Sequence, residues 1–335
     1  MKNFSDIKIT VGVTAFNRPY LLRQTVMSVL QQSYENFELI ISNDYIAEPV
    51  TFETLGIQSD SRIKIINQAV NLGEVKNMNY MLDIATSNWF IWLADDDLLH
   101  PEFFMAAKNC ITENRENEIV AFYSDYCQAK DPTGIFPVEC VSQDYSYYKP
   151  ACFIEDYSSR KIELIGCYGV MSRDALIKIG GFPLLGNSFG PYSDAVIPIL
   201  ISEFGNIWMS EEKFVFLRIH EGSLSSQSID FSAYSSSEID FLEHVKHVCG
   251  YEVLNLNQSK IISNVVTWFA THEWAVLSRN TSLRRYSTLT KFIRYQLKIN
   301  LSRLTFKYKL FHLMFITHLL TKILAHKVYN KVVRR

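Results

Sequence analysis

Three adjacent carboxylates, Asp95, Asp96 and Asp97, follow directly on the uncharged, aromatic-rich run Trp89 to Ala94. Six such residues suit one buried strand. Like charges gathered at its end repel one another unless a cation compensates them. In an open α/β sheet the carboxyl ends of the strands are where ligands bind. A divalent ion, which takes oxygen ligands and bridges phosphates, meets that demand. An exposed acidic turn leading into the next helix, with Pro101 near its first turn, would use the same residues without any ion.

The elements that must position this triplet are readable around it. Ile7, Ile9, Val11 and Val13 alternate with the period of a strand. The stretch T-A-F-N-R-P-Y follows, with Asn17 expected as N-cap and Pro19 in the first turn of a helix. Leu22, Val26, Val29 and Leu30 give that helix one buried face. Strands are expected at residues 38–42, ending at Asn43-Asp44, and at 63–66. A turn at Asn71-Leu72-Gly73 and a helix over 75–85 then lead into the central strand. This alternation predicts an α/β fold with a mostly parallel sheet flanked by helices. There is neither a G-x-G-x-x-G fingerprint nor a phosphate-binding G-x-x-x-x-G-K-[ST] loop.

Beyond residue 118 the pattern loosens. A-F-Y-S-D-Y-C reads as a strand ending near Ser124-Asp125. Residues 131 to 160, rich in Tyr, Pro and Ser without a clear period, read as loops, either around an acceptor pocket or as a surface excursion. A helix over 174–179 is closed by Gly180-Gly181. Helices are expected again at 238–249 and 260–278, after a Ser-rich stretch.

Several of these segments, taken together and in order, resemble the family 2 glycosyltransferases and their GT-A fold. The opening V-T-A-F-N-R-P-Y-L-L-R-Q-T-V through F-E-L-I-I-S-N-D carries the resemblance, with N-L-G-E-V-K-N-M-N-Y and with L-A-D-D-D-L-L-H-P at the D-x-D position. C-Y-G-V-M-S-R-D-A-L-I-K-I-G-G-F-P, F-G-P-Y-S-D-A-V-I-P-I-L and F-V-F-L-R-I-H-E-G-S-L-S extend it to about residue 225. The resemblance implies an inverting transfer of a sugar from a nucleotide donor, UDP-linked by expectation, to a glycan or lipid-linked acceptor in surface polysaccharide synthesis. It also implies a divalent metal, Mn2+ or Mg2+. It divides the chain into a nucleotide-sugar-binding half (1–118), an acceptor-binding and catalytic half (119–225) and a helical, basic extension (226–335).

Residue by residue, the resemblance puts Thr14, Phe16 and Arg18 at the base and phosphates of the donor, and Asp44 on the base. A carboxylate can accept a uracil imide N–H, although an Asx-turn would also account for Asp44. Asp96 corresponds to the acid most directly tied to the metal, with Asp97 and His220 as further ligands and Asp95 on the donor. Arg218 would neutralise the diphosphate. Asp194 falls where the family carries its general base, with Ser193 in place of the usual Glu. A helix N-cap is the other reading of Asp194.

Composition bounds the rest. At 335 residues with 13% aromatics, the chain can bury a sizeable core, as two domains or as one large domain with an extension. Its six cysteines form no C-x-x-C pair, which disfavours structural zinc and a disulfide framework and points to a reducing compartment. The first residues lack the features of a signal peptide. After Glu273 there is no acid, while residues 279–335 hold 14 of the 33 Lys and Arg, leaving 19 for the remainder against all 35 acidic residues. From Lys291 a basic face recurs at helical spacing opposite an apolar one. Leu310 to Thr321 carries no Lys, Arg, Asp or Glu, but is too short to span a bilayer. The expectation is a peripheral protein on the inner face of the cytoplasmic membrane, held to anionic lipid by its tail. A helical extension or dimer contact is the other reading of the tail, and nucleic acid is not an expected partner. A nucleotidyltransferase and a catalytically inactive nucleotide-sugar-binding or scaffold protein are the alternatives in function.

Overall fold

The computed structural model describes residues 7–113, 118–130, 145–186, 191–220 and 231–279. Strand β1 (Ile9–Ala15) is almost wholly buried and lies between β2 (Phe37–Asn43) and β4 (Trp89–Leu93), parallel to both. β3 (Ile63–Asn67) adds in parallel beyond β2. The strand order β3-β2-β1-β4 leaves a crevice between the carboxyl ends of β1 and β4, the switch point at which such sheets bind ligands.

Helix α1 (Pro19–Leu30) buries Leu22, Val26 and Val29 as their spacing requires. Asn17 is not its N-cap. That position is Arg18, while Asn17 sits in the left-handed region at φ 54°, a conformation Asn tolerates better than most residues. A short α2 (Phe52–Leu55) precedes β3, and α3 (Glu74–Ile84) precedes β4.

Beyond β4 the sheet becomes mixed. β5 (Leu98–Leu99) is followed by α4 (Phe103–Glu113) and by β6 (Ile119–Ala129), which runs past the expected end at Asp125. The stretch expected to be irregular holds two regular elements, β7 (Tyr145–Tyr148) and α5 (Pro150–Ser158). Pro150 opens α5 from the first helical position. Residues 131–144 lie outside the described residues.

β8 (Val170–Ser172) pairs antiparallel with both β4 and β6, joining the two halves of the sheet. α6 (Arg173–Lys178) ends in two glycines at positive φ. α7 (Ser193–Ile201) and β9 (Asn206–Arg218) follow. β9 pairs with β6 in parallel and with β5 and β7 antiparallel.

The two expected C-terminal helices are α8 (Phe231–Cys249) and α9 (Gln258–Arg279). Their apolar residues, among them Phe241, Val245, Ile261, Val265 and Phe269, belong to the same buried core as β1 and β4. The basic stretch 280–335, with the membrane segment expected in it, lies outside the described residues. Among those described, no helix is long and apolar enough to cross a membrane.

Candidate active site

Because β1 and β4 run in register, the residues that follow them meet. Asp95 is 1% exposed and accepts a hydrogen bond from the Phe16 amide at 3.0 Å. Asp96 and Asp97 are each 7% exposed, so the triplet is not an exposed acidic turn. Its charge is compensated from within the protein. The Arg18 guanidinium lies 2.6 Å from Oδ1 of Asp95 and donates to Oδ2 of Asp96 at 2.7 Å. His220 Nε2 lies 2.8 Å from the same oxygen of Asp96. Asp97, expected as a metal ligand, instead has both oxygens engaged by the protein, one by the Arg218 amide at 2.9 Å and the other by the Tyr168 hydroxyl, which leaves Asp95 as the second acid facing Arg18. Pairing of β5 with β9 brings the Arg218 and His220 end of the strand to the triplet.

Burial pushes the Asp95 carboxyl up to about 6, against the opposing pull of Arg18 and the Phe16 amide. Burial and the neighbouring Asp96 charge push Asp97 up to about 7, with the Tyr168 hydroxyl and the Arg218 amide opposing.

The donor set bears on whether a divalent ion fits. Oxygens of Asp95 and Asp96 with the imidazole of His220 are chemically suited to Mn2+ or Mg2+. Asp95 Oδ1 is buried and makes no hydrogen bond, because Arg18 pairs with it by charge without the alignment of one. That oxygen therefore already faces a cation, the guanidinium. Among the described residues no three acidic, His or Cys side chains converge on one point, and Arg18 stands between those that come nearest. An ion held by these residues would have to take over the contacts that the guanidinium makes to Asp95 and Asp96.

Arg218 is partly buried. Its Nη1 donates to Gln24 at 2.5 Å, while Nε and Nη2 are buried with no hydrogen-bond partner among the described residues. Two unpaired donors on a fixed cation are costly unless an anion arrives to meet them.

Asp44 ends β2. Its two oxygens accept the Leu72 amide at 2.7 Å and the Gly73 amide at 2.9 Å, so it anchors the loop before α3 and forms no Asx-turn. Asn43 makes the local contact instead, accepting from the Tyr45 amide. Thr14, partly exposed, lies near the end of β1. Phe16 is 47% exposed and packs edge-on against Tyr45, leaving an aromatic surface beside Asp44 and Asp95.

Asp194 lies in the first turn of α7 and is not its N-cap, which is Tyr192. Burial raises its carboxyl above the usual range, with the amides of Ala195, Asp194 and Gly166 pulling it down. By surface area Asp194 is only partly covered, as expected for a group lining a cleft. Glu74, the first residue of α3, is likewise accessible yet closely surrounded. Its carboxyl is raised by burial and by the charge of Asp194, lowered by Arg18, and raised again by Asp96, so it feels the charges of all three.

The seam between Asp194 and the triplet is Gly166-Cys167-Tyr168, which sequence reasoning missed. Tyr168 holds Asp97, and the backbone at Gly166 lies against that of Asp194. The available signal was two glycines, 166 and 169, set three residues apart at the turn that leads into β8.

The sequence pattern of Glycosyl transferase family 2 matches residues 10–179, just over half of the chain. The chain belongs to that family. An uncharacterized glycosyltransferase of Haemophilus influenzae is 25% identical over 310 residues, covering 88% of this chain and 99% of its own. A UDP-Glc:alpha-D-GlcNAc-diphosphoundecaprenol beta-1,3-glucosyltransferase of Escherichia coli, WfgD, is 28% identical over 32% of this chain and 44% of its own. A GalNAc(5)-diNAcBac-PP-undecaprenol beta-1,3-glucosyltransferase of Campylobacter jejuni is 34% identical over 28% of this chain and 30% of its own. Both relatives of named activity are thus matched over less than half their length. Among solved structures, S. aureus TarS 1-349 in complex with UDP-GlcNAc superposes with a TM-score of 0.61 at 15% identity, over 88% of this chain and 80% of that one. The expected GT-A fold is therefore present, and the chain is a glycosyltransferase.

Proposed function

We propose that this glycosyltransferase moves a sugar from a UDP-linked donor to a glycan or lipid-linked acceptor, with inversion at the anomeric carbon, in surface polysaccharide synthesis. The observation that carries the reading is Arg218, two of whose donor nitrogens have no partner among the described residues and sit beside the buried triplet where a diphosphate would meet them. Support for the donor and acceptor comes from the WfgD and Campylobacter relatives, whose names specify undecaprenol-linked acceptors, and from the UDP-GlcNAc complex of TarS.

In this reading Phe16 and Asp44 line the base pocket, and Arg218 takes the diphosphate. Asp95, Asp96 and His220 would hold the divalent ion, which supplies positive charge against the leaving diphosphate. Asp194 accepts the proton of the acceptor hydroxyl as that oxygen bonds to the anomeric carbon. The bond from that carbon to the diphosphate breaks on the opposite side, and the nucleoside diphosphate leaves with the electron pair.

A panel of nucleotide-sugars incubated with the full chain, with and without Mn2+, tests the activity through release of nucleoside diphosphate. A UDP-sugar should be hydrolysed fastest, and Mn2+ should accelerate it. In Asp96→Ala the rates with and without Mn2+ should coincide. Unchanged Mn2+ stimulation in that variant would place the ion elsewhere, and absence of hydrolysis across the panel would favour a nucleotide-sugar-binding scaffold.

The charge of the tail supports a second element of the proposal, peripheral attachment to anionic membrane. Each Lys or Arg near such a surface contributes about 1 kcal/mol. Full-length protein should therefore sediment with phosphatidylglycerol vesicles and be partly released by high salt. A chain ending at residue 279 should stay in the supernatant, and equal sedimentation of the two would remove the tail from this role.

A further inference from the structure

The segment matched by the family pattern ends at residue 179, before the base on which the proposed chemistry depends. The residues just ahead of that base are contacted from α8 and α9. Tyr192, two residues ahead of Asp194, adopts φ 68° and ψ 4°. L side chains rarely occupy this left-handed region, and an aromatic residue has no local hydrogen bond with which to favour it. The turn is held by the ring. Tyr192 is buried among Tyr234 of α8, at 5.6 Å between ring centres, and Phe269 of α9, at 4.5 Å. Its hydroxyl lies 3.1 Å from Nδ1 of His272, also on α9.

A second connection reaches the next residue. Ser193 accepts the Leu185 amide at 3.2 Å, and the Leu185 carbonyl accepts from Ser237 of α8 at 2.9 Å. On the far side, the Asp194 backbone abuts Gly166, which has no side chain to intervene. The first turn of α7 is therefore gripped from two directions.

We propose that α8 and α9 are the positioning device for the catalytic base, acting through Tyr192. Their clamp on its ring holds the left-handed turn from which the first turn of α7, and Asp194 with it, starts. Tyr192, Phe269 and His272 are positioning residues, and the proposal rests on the reading of Asp194 as the base.

The clamp is tested in the full chain with Phe269→Ala, His272→Ala and the pair Tyr192→Ala and Tyr192→Gly. Hydrogen exchange needs no substrate. The Val196 amide donates to the Tyr192 carbonyl at 3.3 Å, and its exchange should quicken in Phe269→Ala while strand β1 stays protected. Hydrolysis of UDP-N-acetylglucosamine and UDP-glucose gives the kinetic readout. A misplacement of about 1 Å can cost about 10²-fold, so kcat should fall by about that factor or somewhat less, with UDP affinity by calorimetry unchanged. Tyr192→Gly should retain more kcat than Tyr192→Ala, since both delete the ring but only glycine enters the left-handed turn freely. Unaltered exchange at Val196 in folded Phe269→Ala or His272→Ala overturns the clamp, as does equal kcat for the Tyr192 pair. Should Asp194→Asn hydrolyse at the wild-type rate while Val196 exchange still responds to Phe269→Ala, the base assignment falls and the mechanical link stands.

Discussion

Asp194→Asn should lower turnover by about 10²–10⁴-fold, the usual cost of losing a general base, while leaving affinity for UDP unchanged. The amide keeps the shape of the side chain and the local helix but cannot take a proton from the acceptor at neutral pH. Among the described residues Asp194 makes no hydrogen bond or ion pair with Arg218, so donor binding has no reason to suffer. The same residue sets the pH dependence. Burial raises its carboxyl above the ordinary value, and only the ionised form can act as a base. The rate should therefore be lost as pH falls through that raised value, on a limb displaced upward from that of an exposed Asp, and the variant should lack this limb. Pre-steady-state turnover across pH, with UDP binding by calorimetry, decides both parts. Loss of UDP affinity in a folded Asp194→Asn would make it a donor-site residue instead.

The second large effect is expected at Gly166→Ala. A methyl built there would lie 1.9 Å from the Asp194 carbonyl oxygen, 2.6 Å from its carbonyl carbon and 3.0 Å from the Pro198 ring. Nearly all of this is backbone, so no rotamer change relieves it. Overpacking of this kind destabilises by about 1–3 kcal/mol. The less costly relaxation moves the first turn of α7 outward and carries Asp194 with it, and a shift of that size costs about 10²-fold in rate. Thermal unfolding and donor hydrolysis measured on the same sample should both fall, with Mn2+ binding retained. A variant as active as the parent would mean that α7 tolerates the displacement and that the base need not stand where it does.

What could be read ahead of the structure was whatever depends on short-range pattern. Alternation in Ile7 to Val13, the helical spacing of Leu22, Val26 and Val29, and the apolar run before Asp95 each specify an element and its buried face. The acid triplet, Arg218 and His220 could be named because charge at a strand end is visible in one dimension. Their mutual arrangement could not. That Arg18 would bridge Asp95 and Asp96, or that Asp97 would be taken up by Tyr168, depends on the registers of β1 with β4 and of β5 with β9. Tyr145 to Ser158 was passed over because neighbouring Tyr, Pro and Ser residues mask a four-residue strand and a helix that begins at Pro150. The left-handed Tyr192 carries no sequence mark, since its conformation is imposed by rings 42 and 77 residues further along the chain.

The pairing of a two-residue strand, Leu98–Leu99, with the end of β9 has a bearing on how the protein is made. Asp97 and Arg218 are 121 residues apart, and Asp96 and His220 are 124. At the roughly 5–20 residues per second of translation, a nascent chain emerging from the ribosome carries the triplet for about 6 to 24 seconds before β9 follows. Throughout that interval Arg18 is the one cation from these contacts already synthesised. The donor-side strands can assemble early, but the crevice closes only when the last strand arrives. A polypeptide arrested ahead of β9 should therefore remain protease-sensitive at its acidic turn and unable to retain UDP.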